Sequence, residues 1–378
     1  MRTNGQLPPE LGQAFSVGAA RAVGTTPGRL RGRDLAKPFR GVRTLEPQRS
    51  ETHEKTAEQT KSSIDPEEER RLEALKPARA YSHRMRECEF FSHETAGLIW
   101  RAPLRATHRI DTADGIDLVD TADGIDLAGR VDTADGIDTA GKSRKNHNGP
   151  PVRFGHDPVP HVSVLYGDSA PRARGVHGHR LAGDPSHLQL HDGMRVASPA
   201  LTWVTLSHLP LYDLVAVGDY FARVWRKEGF YRVNPGMPPL ASLAQLSAAV
   251  EEGRRTGIRS LRAALPLIRT DAWSRPETWT RLTLTDAGLP EPVLNRDQYD
   301  RYGDFLACVD LAYPALKIAI EYQGQHHAAQ YARDIERVER MRAEGWIVIQ
   351  VSSVLLFDHP AELVRRVRAA LIERGWRD

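Results

Sequence analysis

The clearest pattern of apolar and polar positions lies in residues 309–324, where two apolar runs flank a turn next to Pro314. This pattern predicts a β-hairpin with its turn near Ala315 and Leu316. Because strand side chains alternate, one face of the second strand carries large apolar groups, namely Ile318, Ile320 and Tyr322. The other face carries Ala319, Glu321 and Gln323.

A turn centred between Ala315 and Leu316 places Asp310 opposite Glu321, on one face of the hairpin. Two carboxylates that face each other in a sheet repel, so this pairing is unusual. A divalent cation between them removes the repulsion. The pair is therefore a candidate metal site. The alternative is that Asp310 ends an exposed strand and Glu321 lies on a solvated sheet face.

The rest of the chain predicts an α+β region followed by elements in the order α-β-β-β-α-β-α. Alternating segments predict strands at 161–166, 175–181 and 194–198. Periodic segments predict helices at 198–206, 212–219, 242–252, 258–268, 329–344 and 361–373. In the helix at 329–344, we expect the buried stripe to consist of Ile335, Val338 and Met341.

A further helix begins at Ser274, which is followed by Pro276 and then Glu277. Serine at the N-cap with glutamate three residues later is a capping box, and capping alone accounts for Glu277. Gly288 is expected to end this helix.

The net charge of +3 hides a segregation of charge along the chain. The net charge is +6 for residues 1–110, −8 for 111–138, +3 for 139–148, +5 for 149–270 and −3 for 271–378. DNA phosphates, if bound, should then contact the N-terminal and middle regions. A solvated arginine-rich surface explains the same charge equally well.

Two observations bear on the location of the protein. The cysteines are Cys88 and Cys308, which predict neither a disulfide framework nor a cysteine metal site. No window of about 18 apolar residues predicts a membrane span, and residues 1–18 lack the apolar core of a signal peptide. We expect a cytoplasmic protein without membrane contact.

An identical seven-residue acidic repeat occurs at 111–117, 120–126 and 132–138. It lacks the residues of an EF-hand and the even period of a calcium-binding β-helix. We interpret it as part of a flexible acidic insertion at 111–148.

Histidines at positions 177, 179, 187 and 191 raise a zinc hypothesis, because His177 and His179 share one strand face. Without a cysteine or a clear third ligand, exposed strand and loop histidines are the favoured interpretation.

These patterns divide the chain into three parts. Residues 1–70 form a basic and charged, largely disordered region, and residues 71–270 form an α+β domain that the insertion at 111–148 interrupts. Residues 271–378 form an α/β domain with a mixed central sheet flanked by helices.

The C-terminal part resembles the PD-(D/E)xK nuclease superfamily, and in particular the very-short-patch-repair-endonuclease-like domain of many bacterial proteins. The motifs that carry the resemblance cover roughly the last hundred residues in the same order. They are 274–278, 288–292, 309–311, 321–327, 333–337 and 345–348. Segment 90–100 resembles, more loosely, the N-terminal region of abortive-infection antitoxins.

The resemblance implies a restriction-endonuclease-like fold and a metal-dependent DNA endonuclease. It implies Asp310 and Glu321 as ligands of Mg²⁺, with Mn²⁺ as a substitute, and the Tyr322 carbonyl as a further ligand. It further implies that Glu277 and His327 assist catalysis and that Arg337 contacts phosphate. Gln323 stands where the superfamily usually has lysine, and its amide can orient water.

Two functions from different classes remain. The first is a Mg²⁺-dependent endonuclease. The second is a DNA-binding regulator of antitoxin type that no longer cuts, which Gln323 and the acidic C-terminal part favour. DNA is the expected partner in both, and the N-terminal region is the expected site of homodimer or partner contacts.

Overall fold

The computed structural model describes residues 6–45, 65–104, 159–252, 256–323 and 328–377, with the side chains of Pro66 and residues 328–334 left undescribed. The chain divides into two compact units. The first comprises residues 1–101 and 155–202, and the second comprises residues 102–154 and 203–378.

The first unit contains two sheets and several short helices. Its strands are β1 (Ala14–Ser16), β2 (Leu35–Ala36), β3 (Val42–Leu45), β4 (Phe90–Phe91), β5 (His161–Leu165), β6 (His177–Leu181), β7 (Leu188–His191) and β8 (Met194–Ala197). Its helices are α1 (Val17–Ala22), α2 (Pro66–Ala74), α3 (Lys76–Ser82) and α4 (His93–Ile99). The helix α5 (Pro199–Thr205) contains the residue at which the chain passes into the second unit.

The larger sheet of the first unit has the strand order β6-β5-β4-β8-β7 and mixes parallel with antiparallel pairs. The smaller sheet has the order β1-β3-β2. The strands at 161–165, 177–181 and 194–197 confirm the alternation read from the sequence. The short strands β4 and β7 were not predicted, because two to four residues are too few to display a period.

The second unit contains a four-stranded sheet with helices on both faces. Its helices are α6 (Leu211–Ala222), α7 (Leu243–Glu251), α8 (Ile258–Ala264), α9 (Arg275–Asp286), α10 (Ala328–Ala343) and α11 (Pro360–Glu373). Its strands are β9 (Val293–Tyr299), β10 (Phe305–Tyr313), β11 (Ile318–Tyr322) and β12 (Ile347–Val351). The sequence prediction of a mixed sheet flanked by helices, with the order α-β-β-β-α-β-α, is confirmed.

This sheet has the order β12-β11-β10-β9, in which β10 is antiparallel to both neighbours and β11 is parallel to β12. The hairpin register pairs Leu311 with Ile320 and Tyr313 with Ile318, as the turn at Ala315 and Leu316 predicts. Large apolar side chains of β10, β11, α9 and α11 form one core. A smaller core on α10 and the sheet contains Ala312, Ala319, Met341 and Trp346.

One packing prediction is wrong. In α10, Val338 and Met341 are buried, but Ile335 is 47% exposed. Val338 and Met341 are three residues apart and already supply the apolar contact with the sheet, so the stripe is shorter than the periodicity indicates.

The boundary expected at residue 271 lies inside the second unit, where α6 and α9 share a buried ion pair. Arg281 Nη2 lies 3.2 Å from Asp219 Oδ2, and both side chains are almost fully buried. Asp219 also accepts hydrogen bonds from Thr278 Oγ1 and from the backbone N–H of Arg269. This network ties the helices on both sides of the expected boundary together.

Within residues 1–70, which the sequence predicts to be largely disordered, residues 6–45 contain β1, α1, β2 and β3, and residues 46–64 lie outside the described ranges. The insertion at 111–148 and His327 also lie outside them. Among the helices that are described, none combines the length and the apolar content that a bilayer crossing requires.

Asp219→Ala is expected to lower the free energy of unfolding by about 3 kcal/mol, because it removes the buried carboxylate partner of the Arg281 guanidinium and leaves only the partly exposed Glu291. Urea unfolding followed by circular dichroism measures this change. The matched control is Glu339→Gln, which removes a carboxylate from an exposed arginine pair on α10 and should cost ~0.5 kcal/mol or less. Equal losses in the two variants would contradict the prediction.

Candidate metal centre

The hairpin brings Asp310 and Glu321 into opposite positions on β10 and β11. The register of the pairs that follow them, Leu311 with Ile320 and Ala312 with Ala319, places the two acidic residues across from each other. The Asp310 carboxylate extends across β11, because its Oδ2 accepts a 2.9 Å hydrogen bond from the backbone N–H of Tyr322. Both candidate ligands therefore belong to one pair of strands.

Glu321 is buried and paired with Arg337 from α10. Its side chain is 3% exposed, and its Oε1 accepts a 2.6 Å hydrogen bond from Arg337 Nη1. A buried carboxylate requires such a partner, since an isolated charge in the interior is strongly unfavourable. Arg337 therefore lies at the candidate site, and its contact there is with the Glu321 carboxylate.

Glu277 lies in the first turn of α9, with its carboxylate turned into the protein. Ser274 Oγ and the backbone N–H of Trp273 each donate to it over 2.8 Å, and Asn295 Nδ2 donates over 2.5 Å. The Ser274 side chain also accepts from the backbone N–H of Glu277, as a helix cap does. Glu277 therefore takes part in the helix cap and also directs its carboxylate into the protein.

Burial, and after it the negative charge of Asp310, raises the pKa of Glu277 to about 7. The two carboxyl groups are therefore close enough to affect each other electrostatically. Arg223 at the end of α6 opposes this effect, because its guanidinium interacts favourably with Glu277. Its Nε also donates to the Ala272 carbonyl.

Asn295 is a site residue that the sequence analysis missed. On β9, the neighbours of Asn295 pair with β10, Leu294 with Leu311 and Arg296 with Val309. Asn295 therefore lies opposite Asp310. It is 4% exposed and has a φ of 46°, a left-handed conformation that asparagine tolerates better than most residues. Asparagine is depleted in strands, so its presence in β9 was the available signal.

Gln323 directly follows β11, and its backbone N–H donates to the Val351 carbonyl over 2.8 Å. This bond extends the pairing with β12 by one residue. Strand alternation therefore places Gln323 on the same side of β11 as Glu321. The structure brings together Glu277, Asp310, Glu321, Gln323 and Arg337 at this end of the sheet.

A segment rich in aromatic and basic residues borders this site. We call residues 223–232 the aromatic–basic segment; it contains three arginines, one lysine and three aromatic residues. Phe230 is 69% exposed and Tyr231 is 49% exposed. Tyr231 stacks on Trp273 with ring centroids 5.9 Å apart, and the Arg226 guanidinium lies 5.2 Å from the same ring. Trp273 in turn donates to Glu277, which links the segment to the carboxyl groups.

The donor atoms of this site suit a hard divalent cation. Carboxylate oxygens are the ligands that Mg²⁺ and Mn²⁺ prefer, and Mg²⁺ often takes only one or two of them from the protein. Asp310, Glu321 and Glu277 supply three carboxyl groups, and Arg337 neutralises one of them directly. Burial is the main cause of the raised pKa of Glu277 and the negative charge of Asp310 is the second, and a bound cation would favour the ionised form of this carboxyl group.

The free energy of unfolding is expected to fall as the pH rises from about 4.5 to about 7, because the folded chain holds the Glu277 proton more tightly than the unfolded chain does. The stabilisation is complete below the ordinary glutamate pKa of 4.5 and is lost as the pH passes the folded value of about 7. Glu277→Gln should flatten this decline in urea unfolding curves recorded across the range. Glu339→Gln is the control and should keep the wild-type slope, so an unchanged slope in Glu277→Gln would disprove the assignment.

No protein family model matches the sequence, and no solved structure matches it. The chain is similar to two uncharacterized proteins from two strains of Mycobacterium tuberculosis, MT2308 and Rv2248, with 31% identity to each over 124 residues. The matched region is 32% of this chain and 45% of each relative, so the chain spans less than half the length of the relatives it matches. Neither relative carries an assigned activity, and a functional assignment therefore rests on the site itself.

Proposed function

We propose that the chain is a metal-dependent endonuclease that hydrolyses phosphodiester bonds in DNA, with a very-short-patch-repair-like arrangement of the C-terminal sheet. The observation that carries the proposal is the pairing of Asp310 and Glu321 across β10 and β11, beside the protonatable Glu277. Two carboxylates on adjacent strands, with the buried Glu277 near enough to feel the charge of Asp310, are costly unless a cation or a functional need compensates for them.

In this proposal Asp310 and Glu321 would hold Mg²⁺ or Mn²⁺, and the Tyr322 carbonyl would be a further ligand. A bound Mg²⁺ stabilises charge on phosphate oxygens and acidifies a coordinated water. Glu277 would assist the reaction from its buried position beside Asp310. The amide of Gln323 orients the attacking water, since it both donates and accepts hydrogen bonds but cannot act as a base.

Arg337 has a double role in this proposal. In the structure it neutralises the buried Glu321 carboxylate. Arg337 would also contact a phosphate oxygen of the DNA, which a guanidinium recognises by planar, two-pronged hydrogen bonding. His327, which the family resemblance implies as an assisting acid or base, remains a prediction because it lies outside the described residues.

The aromatic–basic segment is the proposed DNA contact of this unit. Its exposed Phe230 and Tyr231 offer rings on which bases stack, and its Arg226 and Lys227 offer charge for phosphates. The segment also compensates for the net charge of −3 that residues 271–378 carry. DNA held there lies next to Glu277 through the Trp273 contact.

A second candidate, a DNA-binding regulator that does not cut, is favoured by one observation. Glu321, a ligand in the first proposal, already has an internal cationic partner in Arg337. A site whose carboxylate is satisfied in this way folds without a metal and needs no catalytic role. The proposed DNA contact is the same in both candidates.

The purified chain is expected to nick or linearise plasmid DNA with Mg²⁺ or Mn²⁺ and to lose at least ~100-fold of this rate in Asp310→Ala and in Glu321→Ala. The reason is that each substitution removes one of the two carboxylates that hold the cation. Gel electrophoresis of plasmid time courses measures the rate, and Glu339→Gln, which removes an exposed carboxylate of α10, is the matched control.

Cleavage that survives Asp310→Ala would contradict the nuclease proposal and indicate a contaminant. Folded protein that retains DNA in a salt-dependent manner but never cuts it would favour the regulator.

Gln323→Lys is expected to raise the metal-dependent cleavage rate by ~10-fold or more, because an ammonium group at this position stabilises the charge that develops on the phosphate. The comparison is made with Gln323→Met, which has a similar length without charge and should lower the rate. A lysine variant no faster than the methionine variant would exclude position 323 from the reaction.

A further inference from the structure

The first unit gathers three histidines from separate parts of the sequence. His93 begins α4, His161 begins β5 and His179 lies in the middle of β6. One ring nitrogen from each histidine lies within 4.8 Å of the other two, and all three side chains are partly buried. The rings of His93 and His179 stack with centroids 4.0 Å apart. We call these residues the histidine cluster.

Backbone contacts fix this cluster. The backbone N–H of Ser92 donates to the His161 carbonyl over 3.1 Å, and the backbone N–H of His161 donates to Thr95 Oγ1 over 2.9 Å. These bonds dock the first turn of α4 on the start of β5. The parallel register of β5 and β6 pairs Ser163 with His179, which brings the third ring to the same place.

His93 has a left-handed backbone conformation, with a φ of 51°. Such a conformation is uncommon in a residue other than glycine, and it persists only where surrounding contacts impose it. Here it turns the histidine at the first position of α4 toward His179, on which its ring stacks.

Two of the three rings also contact polar groups next to the cluster. Ser92 Oγ lies 2.8 Å from Nδ1 of His93. Glu94 Oε2 lies 3.4 Å from Nε2 of His161, and Nδ1 of the same ring lies 3.0 Å from Nε2 of His179. A carboxylate behind a histidine, with the opposite nitrogen directed inward, is typical of metal-bound imidazole.

We propose that His93, His161 and His179 bind a divalent transition-metal ion of the zinc class, with Glu94 as a positioning residue behind His161. Two nitrogens bound to one tetrahedral ion at about 2.0–2.1 Å lie about 3.3 Å apart, close to the 3.0 Å between His161 and His179. Three imidazoles leave a fourth position for water. Nitrogen ligands select a zinc-class ion over Mg²⁺, so this site is chemically distinct from the carboxylates of the second unit.

The site differs from the zinc hypothesis that the sequence suggested. Of the four histidines named there, only His179 belongs to the cluster. His177 packs on His161 with centroids 4.8 Å apart, and His191 packs on Trp100. The missing third ligand lies far upstream, at His93, where spacing along the sequence gives no indication of it.

The test uses the full-length chain without an affinity tag, stripped of metal and then equilibrated with Zn²⁺. The wild-type chain should retain one equivalent of Zn²⁺ after gel filtration, measured by mass spectrometry of the metal. His161→Gln and His179→Gln should lose it. His359→Gln removes an exposed histidine of the second unit and should retain it, as should Asp310→Ala.

Glu94→Gln should weaken Zn²⁺ binding by ~10–100-fold in calorimetric titration without removing the site, because it alters only the group behind a ligand. Because loss of a partly buried ring can unfold the unit, circular dichroism checks each variant. Co²⁺ added to the wild-type chain should give the visible absorption of a four-coordinate ion, and Zn²⁺ should abolish it.

A folded wild-type chain that takes up neither Zn²⁺ nor Co²⁺ would overturn the proposal and leave a hydrogen-bonded stack of histidines. Wild-type affinity in folded His161→Gln would overturn it equally. Loss of Zn²⁺ in Asp310→Ala instead of the histidine variants would place the bound ion in the second unit.

Discussion

The second unit depends on the ion pair between Asp219 and Arg281, which is buried between α6 and α9. Such a pair is favourable only when hydrogen bonds replace the lost water. Thr278 and the backbone N–H of Arg269 supply them to the carboxylate, and the Leu267 carbonyl accepts from the guanidinium. The pair therefore fixes how α9 lies against α6. Glu277 lies one turn before Arg281 on α9, so the same pair determines where the first carboxyl group of the candidate site can reach.

The candidate site places charged and polar side chains next to one another on a sheet. Three neighbouring strands carry these side chains, with Asn295 on β9, Asp310 on β10 and Glu321 on β11. Each side chain is compensated for its loss of contact with water in a different way. Asn295 is neutral and donates to Glu277, Asp310 accepts from the Tyr322 backbone, and Glu321 pairs with Arg337. Glu277 accepts hydrogen bonds but forms no ion pair with any residue that the structure describes, and burial shifts its pKa upward. Because the carboxyl groups are compensated unequally, a bound cation would stabilise the site.

The features that local sequence determines were predictable, and those that bring distant segments together were not. The hairpin register follows from side-chain alternation and one turn, so the positions of Asp310 and Glu321 could be inferred. The partner of Glu321 lies on a helix beyond β11, and the sequence suggested only that Arg337 lies near the site. The left-handed Asn295 has no sequence signal beyond its low strand propensity. His93, His161 and His179 meet only because α4, β5 and β6 pack together.

The two groups of candidate ligands obey different chemistry, and this makes their roles separable. Carboxylate oxygens such as those of the second unit would bind a hard ion weakly, with water completing the shell, and would therefore suit reversible exchange during a reaction. Imidazole nitrogens such as those of the first unit would bind a zinc-class ion more tightly, and binding that requires a folded site adds to folding stability. A zinc-class ion held by His93, His161 and His179 would fasten α4 to β5 and β6. The bound metal would then make the first unit more rigid than its two-residue strand β4 and its short helices make it alone.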